Sequence, residues 1–169
     1  MHQREAGLFK PASRLLKSNK KPYLQINQFP DLMTSASGYS ATPLAQKLGM
    51  KEGFNVRIIN APLHYFYLFN DIPKTLYIIK EPLPHKHFIH YFTRDAQQLK
   101  NELPSLKAEI VPNGMIWISW PKKASKVPTD VTEDVIRSIA LANGLVDVKV
   151  CAIDDTWSGL KLVIPVKNR

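Results

Sequence analysis

The chain has 169 residues, of which 23 are Lys or Arg and 14 are Asp or Glu, so its formal charge is +9. Hydrophobic residues make up 44% and charged residues 22%, which excludes disorder over the whole length. No apolar run approaches the ~20 residues of a membrane-spanning helix. The single cysteine, Cys151, cannot form an internal disulfide, and the N-terminus has no apolar signal segment. We therefore expect a cytoplasmic protein that makes no membrane contact.

Residues 1–37 are predicted to form a basic, loosely ordered extension before a single domain at 38–169. Up to residue 32 the chain has six basic and two acidic residues, which is +4 of the total charge. Prolines at 11, 22 and 30 interrupt any long helix there. Such an arm is suited to nucleic acid or another anionic surface, or has no specific partner. Met33, just before the domain, is an alternative start of the chain.

Within the domain, strand-like apolar segments alternate with helix signals. Helices are predicted from Thr42 to the C-capping Gly49, after the N-cap Thr93, and from Asp130 to Gly144. Residues 65–69 form a short aromatic helix, and residues 112–114 a turn. Too few residues separate the last two strands for a helix, so these strands pair as an antiparallel hairpin. The six predicted strands are residues 54–60, 75–80, 88–93, 115–120, 147–153 and 160–166.

This order of elements predicts an α/β fold. Continuously apolar strands that alternate with helices are typical of a mostly parallel sheet covered on both faces. A terminal antiparallel hairpin on such a sheet is typical of the methyltransferase-type Rossmann-like layout. With about six strands in place of the usual seven, the predicted sheet is a trimmed version of that layout.

Three segments resemble an uncharacterised bacterial domain family of unknown function. They read GYSATPLAQKLG at 38–49, SWPKKASKVPTD at 119–130, and VDVKVCA at 146–152 followed by TWSGLK at 156–161. The resemblance covers roughly residues 38–166 and leaves the basic arm outside. It implies a compact Rossmann-like fold. No reaction is attached to the family, so the resemblance implies no catalytic residue.

The loop after the fourth predicted strand is the strongest candidate site, because ligands of open parallel sheets bind beyond the carboxyl ends of the strands. Its lysines can neutralise phosphates, a tryptophan can stack on a base, and the helix that follows favours an anion at its N-terminus. We therefore predict a nucleotide, a nucleic acid or another anionic ligand here. The alternative is a solvated loop whose tryptophan packs on the core. The candidate residues are Ser119, Trp120, Lys122, Lys123, Ser125 and Lys126, with Glu81 after the second predicted strand.

The segment after the first predicted strand argues against a cofactor. Dinucleotide and adenosylmethionine sites usually have glycines there, whereas residues 60–63 read Asn-Ala-Pro-Leu. Glu81 lies where a ribose-binding acid would lie. The residues favour a non-catalytic, cofactor-free domain that binds an anionic partner near Trp120–Lys126. One alternative is a divergent small-molecule methyltransferase that uses Glu81 and the Trp120 loop, and another is an interaction module built on the aromatic segment 65–69.

Three further features are predicted to be structural. His85, His87 and His90 do not all point the same way in an extended segment, so no metal site is expected. Cys151 lies in an apolar strand and is predicted to be a buried, inert thiol. The acidic pair at 154–155 is typical of a hairpin turn, although it can also hold a cation or a substrate hydroxyl. The oligomeric state does not follow from the sequence.

Overall fold

The computed structural model describes residues 24–25 and 42–169, so most of the basic arm, with its proposed anionic partner, lies outside the described residues. Three helices and seven strands are present within them. The helices are α1 (Leu44–Leu48), α2 (Ala96–Glu109) and α3 (Glu133–Ala142). The strands are β1 (Leu24–Gln25), β2 (Phe54–Ile59), β3 (Leu76–Ile78), β4 (Lys86–Phe92), β5 (Ile110–Pro121), β6 (Val146–Ala152) and β7 (Trp157–Val163).

The strands form one sheet in the order β1-β3-β2-β4-β5-β7-β6. The block β3-β2-β4-β5 is parallel, and β7 runs antiparallel to both of its neighbours, β5 and β6. The predicted α/β class with an antiparallel C-terminal hairpin is therefore confirmed. The two residues of β1 pair antiparallel with β3, so the segment predicted as an extension adds a short edge strand to the six of the domain.

The two faces of the sheet are covered by different elements. Helices α2 and α3 pack on one face, and α1 packs on the other together with a 3₁₀ turn at Tyr65–Leu68. Successive side chains of a strand point to opposite faces. In β5, Ile118 and Trp120 therefore face α2 and α3, whereas Trp117 faces α1. The indole Nε1 of Trp117 donates to the carbonyl of Leu48 at 2.9 Å and fixes α1 on the sheet.

The starts of α2 and α3 differ from the prediction. Asp130 does not begin α3, because its carboxylate accepts the N–H of Ala96 at 2.8 Å in the first turn of α2. Thr132 caps α3 and accepts the N–H of Val135 at 3.2 Å. The cap of α2 is Asp95 rather than Thr93. One acidic side chain thus joins the starts of two neighbouring helices at the edge where the candidate site lies.

The start of α1 also takes its cap from a distant residue. The carboxylate of Asp71 accepts the N–H groups of Ala45 and Gln46 at 3.0 and 2.9 Å, so the predicted cap Thr42 is not used. The predicted C-cap is confirmed, since Gly49 has the left-handed φ of 81°. The predicted turn at 112–114 is wrong as a strand boundary. It lies inside β5, where the pairing with β4 is irregular.

Candidate functional site

The carboxyl edge of β2, β4 and β5 is the candidate site. The chain leaves β2 for β3 on one side and then crosses to β4 on the other side of β2. Open α/β sheets bind ligands at such a switch point, beyond the carboxyl ends of the strands. Because Pro121 at the end of β5 pairs with Trp157 at the start of β7, the β6–β7 turn lies at this edge too. The connections after β2, β4 and β5 and the turn between β6 and β7 therefore meet here.

The connection after β2 turns sharply without a glycine. Asn60 adopts the left-handed φ of 55°, a conformation that asparagine tolerates better than most residues. Leu63 is fully exposed, whereas Tyr65, two residues later, is only 2% exposed. The chain therefore rises to the edge of the sheet and then folds back onto its α1 face.

A buried hydrogen-bonded chain lies beneath this connection. The hydroxyl of Tyr65 lies 2.9 Å from Nδ1 of His90, and Nε2 of His90 lies 2.8 Å from Oγ of Ser119. Burial lowers the pKa of His90 to about 3, so the imidazole is neutral, and burial raises the pKa of Tyr65. The ring of Phe92 stacks on His90 at a centroid distance of 4.3 Å. Both ring nitrogens are used inside the protein, so we assign this chain a structural role.

A second histidine, His64, lies at the same edge of the sheet and is more exposed to solvent. Nε2 of His64 is 2.9 Å from Oδ2 of Asp154 in the β6–β7 turn. The imidazole is 54% exposed and the carboxylate 13%. The other carboxylate oxygen accepts the N–H groups of Thr156 and Trp157 at 2.8 and 2.7 Å. The ammonium of Lys122 donates to the backbone carbonyl of Asp154. The aspartate is therefore held at both its side chain and its backbone.

When the ring of His64 is neutral, this geometry determines which of its nitrogens carries the proton. A carboxylate only accepts hydrogen bonds, so Nε2 donates and Nδ1 keeps its lone pair. In the part of the chain that the structure describes, no hydrogen-bond partner of Nδ1 is found. The carboxyl edge thus presents a partly exposed proton acceptor whose orientation is set by a fixed carboxylate.

The comparisons with known proteins bear on the fold. No protein-family model and no curated protein sequence matches the chain. A solved methyltransferase from Aquifex aeolicus that depends on adenosylmethionine is similar, with 17% identity and a TM-score of 0.52 over 71% of this chain and 87% of that one. The magnesium protoporphyrin IX methyltransferase of Synechocystis is matched at 10% identity and a TM-score of 0.45, over 70% of this chain and 78% of that one. The chain has a methyltransferase-type Rossmann-like fold. Its resemblance to an uncharacterised bacterial family stays a prediction.

Two of the site residues predicted for the β5 loop, Ser119 and Trp120, are buried within this fold. Trp120 is 9% exposed and packs in the core beneath α2 and α3, as the alternative of a core-packed tryptophan expects. Ser119 points to the opposite face, where it is fully buried on His90. The alternation of side chains along a strand was the sequence signal that separates these two neighbours.

The remaining predicted residues lie nearer the surface. Lys122 is half-buried and bridges to the β6–β7 turn, since its N–H also donates to the carbonyl of Thr156 at 2.7 Å. Ser125 donates to the carbonyl of Lys122 at 2.7 Å and closes a 3₁₀ turn at Lys123–Ser125. Two lysines are exposed on this loop, Lys123 and Lys126, and Glu81 is exposed three residues after the end of β3. The structure thus joins Lys122 to Asp154 but does not place Glu81 in contact with either.

The histidine group, Cys151 and the aromatic segment 65–69 have separate environments. Nδ1 of His87 accepts the N–H of Asn55 at 3.0 Å, and His90 is engaged as described. Among the described residues no group of three or more potential metal ligands is found. Cys151 is buried, which raises the pKa of its thiol. In the aromatic segment 65–69, Tyr67 is the exposed ring, and the others are buried or half-buried.

No described helix is long and apolar enough to cross a bilayer.

The His64–Asp154 pair was missed from the sequence. The two residues are 90 positions apart, and neither lies in a motif that indicates the other. Only the acidic turn gave a signal, through its proposed ability to hold a substrate hydroxyl. His64 directly precedes the segment 65–69, and the prediction for that region depends on its aromatic residues alone.

Proposed function

We propose that this chain is a divergent adenosylmethionine-dependent methyltransferase that acts on a small molecule. The observation that carries the proposal is the fold, whose similarity to the Aquifex aeolicus methyltransferase extends over 87% of that chain. The carboxyl edge at the β2–β4 switch point is where a ligand of such a sheet binds. Here it is built from an exposed imidazole, a held carboxylate and exposed polar loops.

The residues after β2 and β3 fit the adenosine part of the cofactor. The N–H of Ile79 donates to the carbonyl of Val56 at 2.9 Å, which keeps the chain beside β2 as it approaches Glu81. The exposed carboxylate of Glu81 would accept hydrogen bonds from ribose hydroxyls. The fully exposed side chain of Leu63 would provide apolar contact for the adenine ring.

The missing glycine is compatible with this cofactor. In adenosylmethionine sites the glycines after this strand let the backbone turn sharply and approach the ligand. Asn60 already supplies the left-handed turn. When bound, the cofactor provides an electrophilic methyl group on a sulfonium. The contribution of the chain is to hold both reactants at one edge of the sheet and to orient them.

Calorimetry and thermal unfolding with adenosylmethionine and adenosylhomocysteine test the proposal. At a concentration one hundred times its Kd, a ligand stabilises the fold by about 2.7 kcal/mol. Glu81→Gln is expected to weaken binding by about tenfold or more, because it removes a charged acceptor. Glu102→Gln, at an exposed position on α2, is the matched control. Absence of binding by both compounds would reject the proposal.

A second candidate is an anionic ligand on the β5 loop, favoured by the exposure of Lys123 and Lys126. The 3₁₀ turn between them is closed by Ser125, so both charges are presented from an ordered loop. Lys123→Ala with Lys126→Ala is then expected to weaken binding of a single-stranded oligonucleotide or of pyrophosphate and to reduce its salt dependence. Lys100→Ala with Lys167→Ala changes the charge equally at two exposed positions elsewhere. Equal binding by the two double variants would exclude this site.

A further inference from the structure

We propose that His64 and Asp154 form a base that removes a proton from a hydroxyl group of the methyl acceptor. This inference rests on the proposed function and names its substrate class, an alcohol or phenol. His64 would contact the acceptor and is the catalytic residue of the pair. Asp154 acts through His64 and is a positioning residue.

The aspartate is anchored in a way that fixes the direction of the imidazole. Its Oδ1 accepts two N–H groups of its own turn, which leaves Oδ2 for Nε2 of His64 at 2.9 Å. The ammonium of Lys122 holds the backbone of the same turn against the end of β5. A base whose orientation is fixed before the substrate binds loses little entropy in the reaction.

The contrast with His90 separates a base from a structural histidine. His90 is fully buried, and its two nitrogens are engaged by Tyr65 and Ser119. His64 is 54% exposed, and Nδ1 has no partner among the described residues. Both rings lie near the same edge of the sheet, but only Nδ1 of His64 is open to a substrate.

A base of this kind suits a hydroxyl acceptor. A hydroxyl oxygen keeps its proton at neutral pH, so its nucleophilicity rises when a base removes that proton in the transition state. The O–H bond breaks as the proton passes to Nδ1 of His64, and the new O–CH₃ bond forms. The S–CH₃ bond breaks, and its electron pair stays on the sulfur of adenosylhomocysteine. The imidazolium later returns its proton to water.

The test measures release of adenosylhomocysteine from adenosylmethionine with a panel of simple phenols and alcohols. His64→Gln is expected to lower kcat by about 10² to 10⁴ without changing calorimetric binding of adenosylmethionine. Free imidazole is expected to restore part of the activity of His64→Gly. His85→Gln removes an exposed histidine outside the site and is the matched control.

Asp154→Asn tests the positioning role without removing the turn. The amide oxygen still accepts the N–H groups of Thr156 and Trp157, but the amide nitrogen now donates to Nε2. This places the proton of the neutral imidazole on Nδ1, so kcat is expected to fall as in His64→Gln while KM and the thermal midpoint change little.

The outcomes separate this inference from the proposed function. If neither adenosylmethionine nor adenosylhomocysteine binds, the proposed function fails, and the inference fails with it. If adenosylmethionine binds but no hydroxyl compound is methylated, or only amines and thiols are, the inference alone is overturned. Unimpaired turnover by His64→Gln with a hydroxyl acceptor would also overturn it.

Discussion

Two charged clusters of this sheet differ in their access to solvent. The crossover cluster consists of Arg57, Lys86 and Glu109, and the edge dyad of His64 and Asp154. In the crossover cluster Arg57 donates to Glu109, and the side chains are 18% and 5% exposed. Lys86 is fully buried and donates to two loop carbonyls. The imidazole of the edge dyad is 54% exposed.

The difference shows which charged groups are engaged by buried partners within the fold and which remain exposed to solvent. Burial lowers the pKa of Lys86, so this charge is held at an energetic cost and is offset by nearby acceptors. The crossover cluster joins β2, the β3–β4 connection and the end of α2. The edge dyad joins two loops but leaves one ring nitrogen open. We therefore expect substitutions in the first cluster to affect stability and those in the second to affect chemistry.

The largest expected effect on the free energy of unfolding is that of Glu109→Gln. The substitution keeps the shape of the side chain but leaves the guanidinium of Arg57 partly buried without its anion. The free energy of unfolding in urea is expected to fall by about 3 kcal/mol. The double variant Arg57→Met with Glu109→Leu should recover most of this loss, because it removes both charges. A loss below about 1 kcal/mol for Glu109→Gln would contradict the contrast between the two clusters.

An intermediate effect is expected from pH through His90. Its pKa of about 3 in the fold lies below its ordinary value of 6.5, so the unfolded chain takes up a proton that the folded protein excludes. The stability contributed by the neutral ring is complete above pH 6.5 and is lost as the pH falls from there toward 3. Between pH 7 and 5 the free energy of unfolding should decrease by roughly 2 kcal/mol.

His90→Gln isolates this contribution from the other groups that titrate in the same range. The variant is expected to be less stable than the parent at pH 7, but its stability should decline less steeply between pH 7 and 5. Chemical denaturation at several pH values measures both slopes. Parallel declines in the two proteins would show that His90 is protonated within the fold.

The smallest effect on stability is expected for His64→Gln. The contact of Asp154 with an imidazole that is about half exposed is screened by solvent, so the free energy of unfolding should change by less than about 1 kcal/mol. This variant is the counterpart of Glu109→Gln in the other cluster. A loss as large as that of Glu109→Gln would show that the dyad is a structural feature of the edge.

Local sequence patterns predicted much of the fold but little of the candidate site. Apolar periodicity predicted the six strands of the domain, and the left-handed Gly49 ends α1 as expected. Helix starts were less predictable, because Asp71 and Asp130 accept N–H groups in the first turns of helices that are distant in sequence. A cap depends on which carboxylate approaches the free N–H groups in space, and the sequence does not record that approach.

The lysine-rich loop shows the same limit at the site. Its composition predicted an anionic ligand, but burial removed Trp120 and Ser119 from the surface, and Lys122 serves as a bridge to Asp154. Lys123 and Lys126 keep the exposure that the prediction requires. The number of charges in a segment therefore states less about binding than the direction in which each side chain points.

The sequence by itself determined the α/β class, the antiparallel end of the sheet and the position of its carboxyl edge, because these follow from local periodicity and the lengths of connections. Only the tertiary structure decided which charges are buried and which histidine is open. Those properties arise when segments as far apart as residues 64 and 154 meet at one edge. The +9 charge of the chain is a sum over all residues, whereas the candidate chemistry depends on the environment of each one.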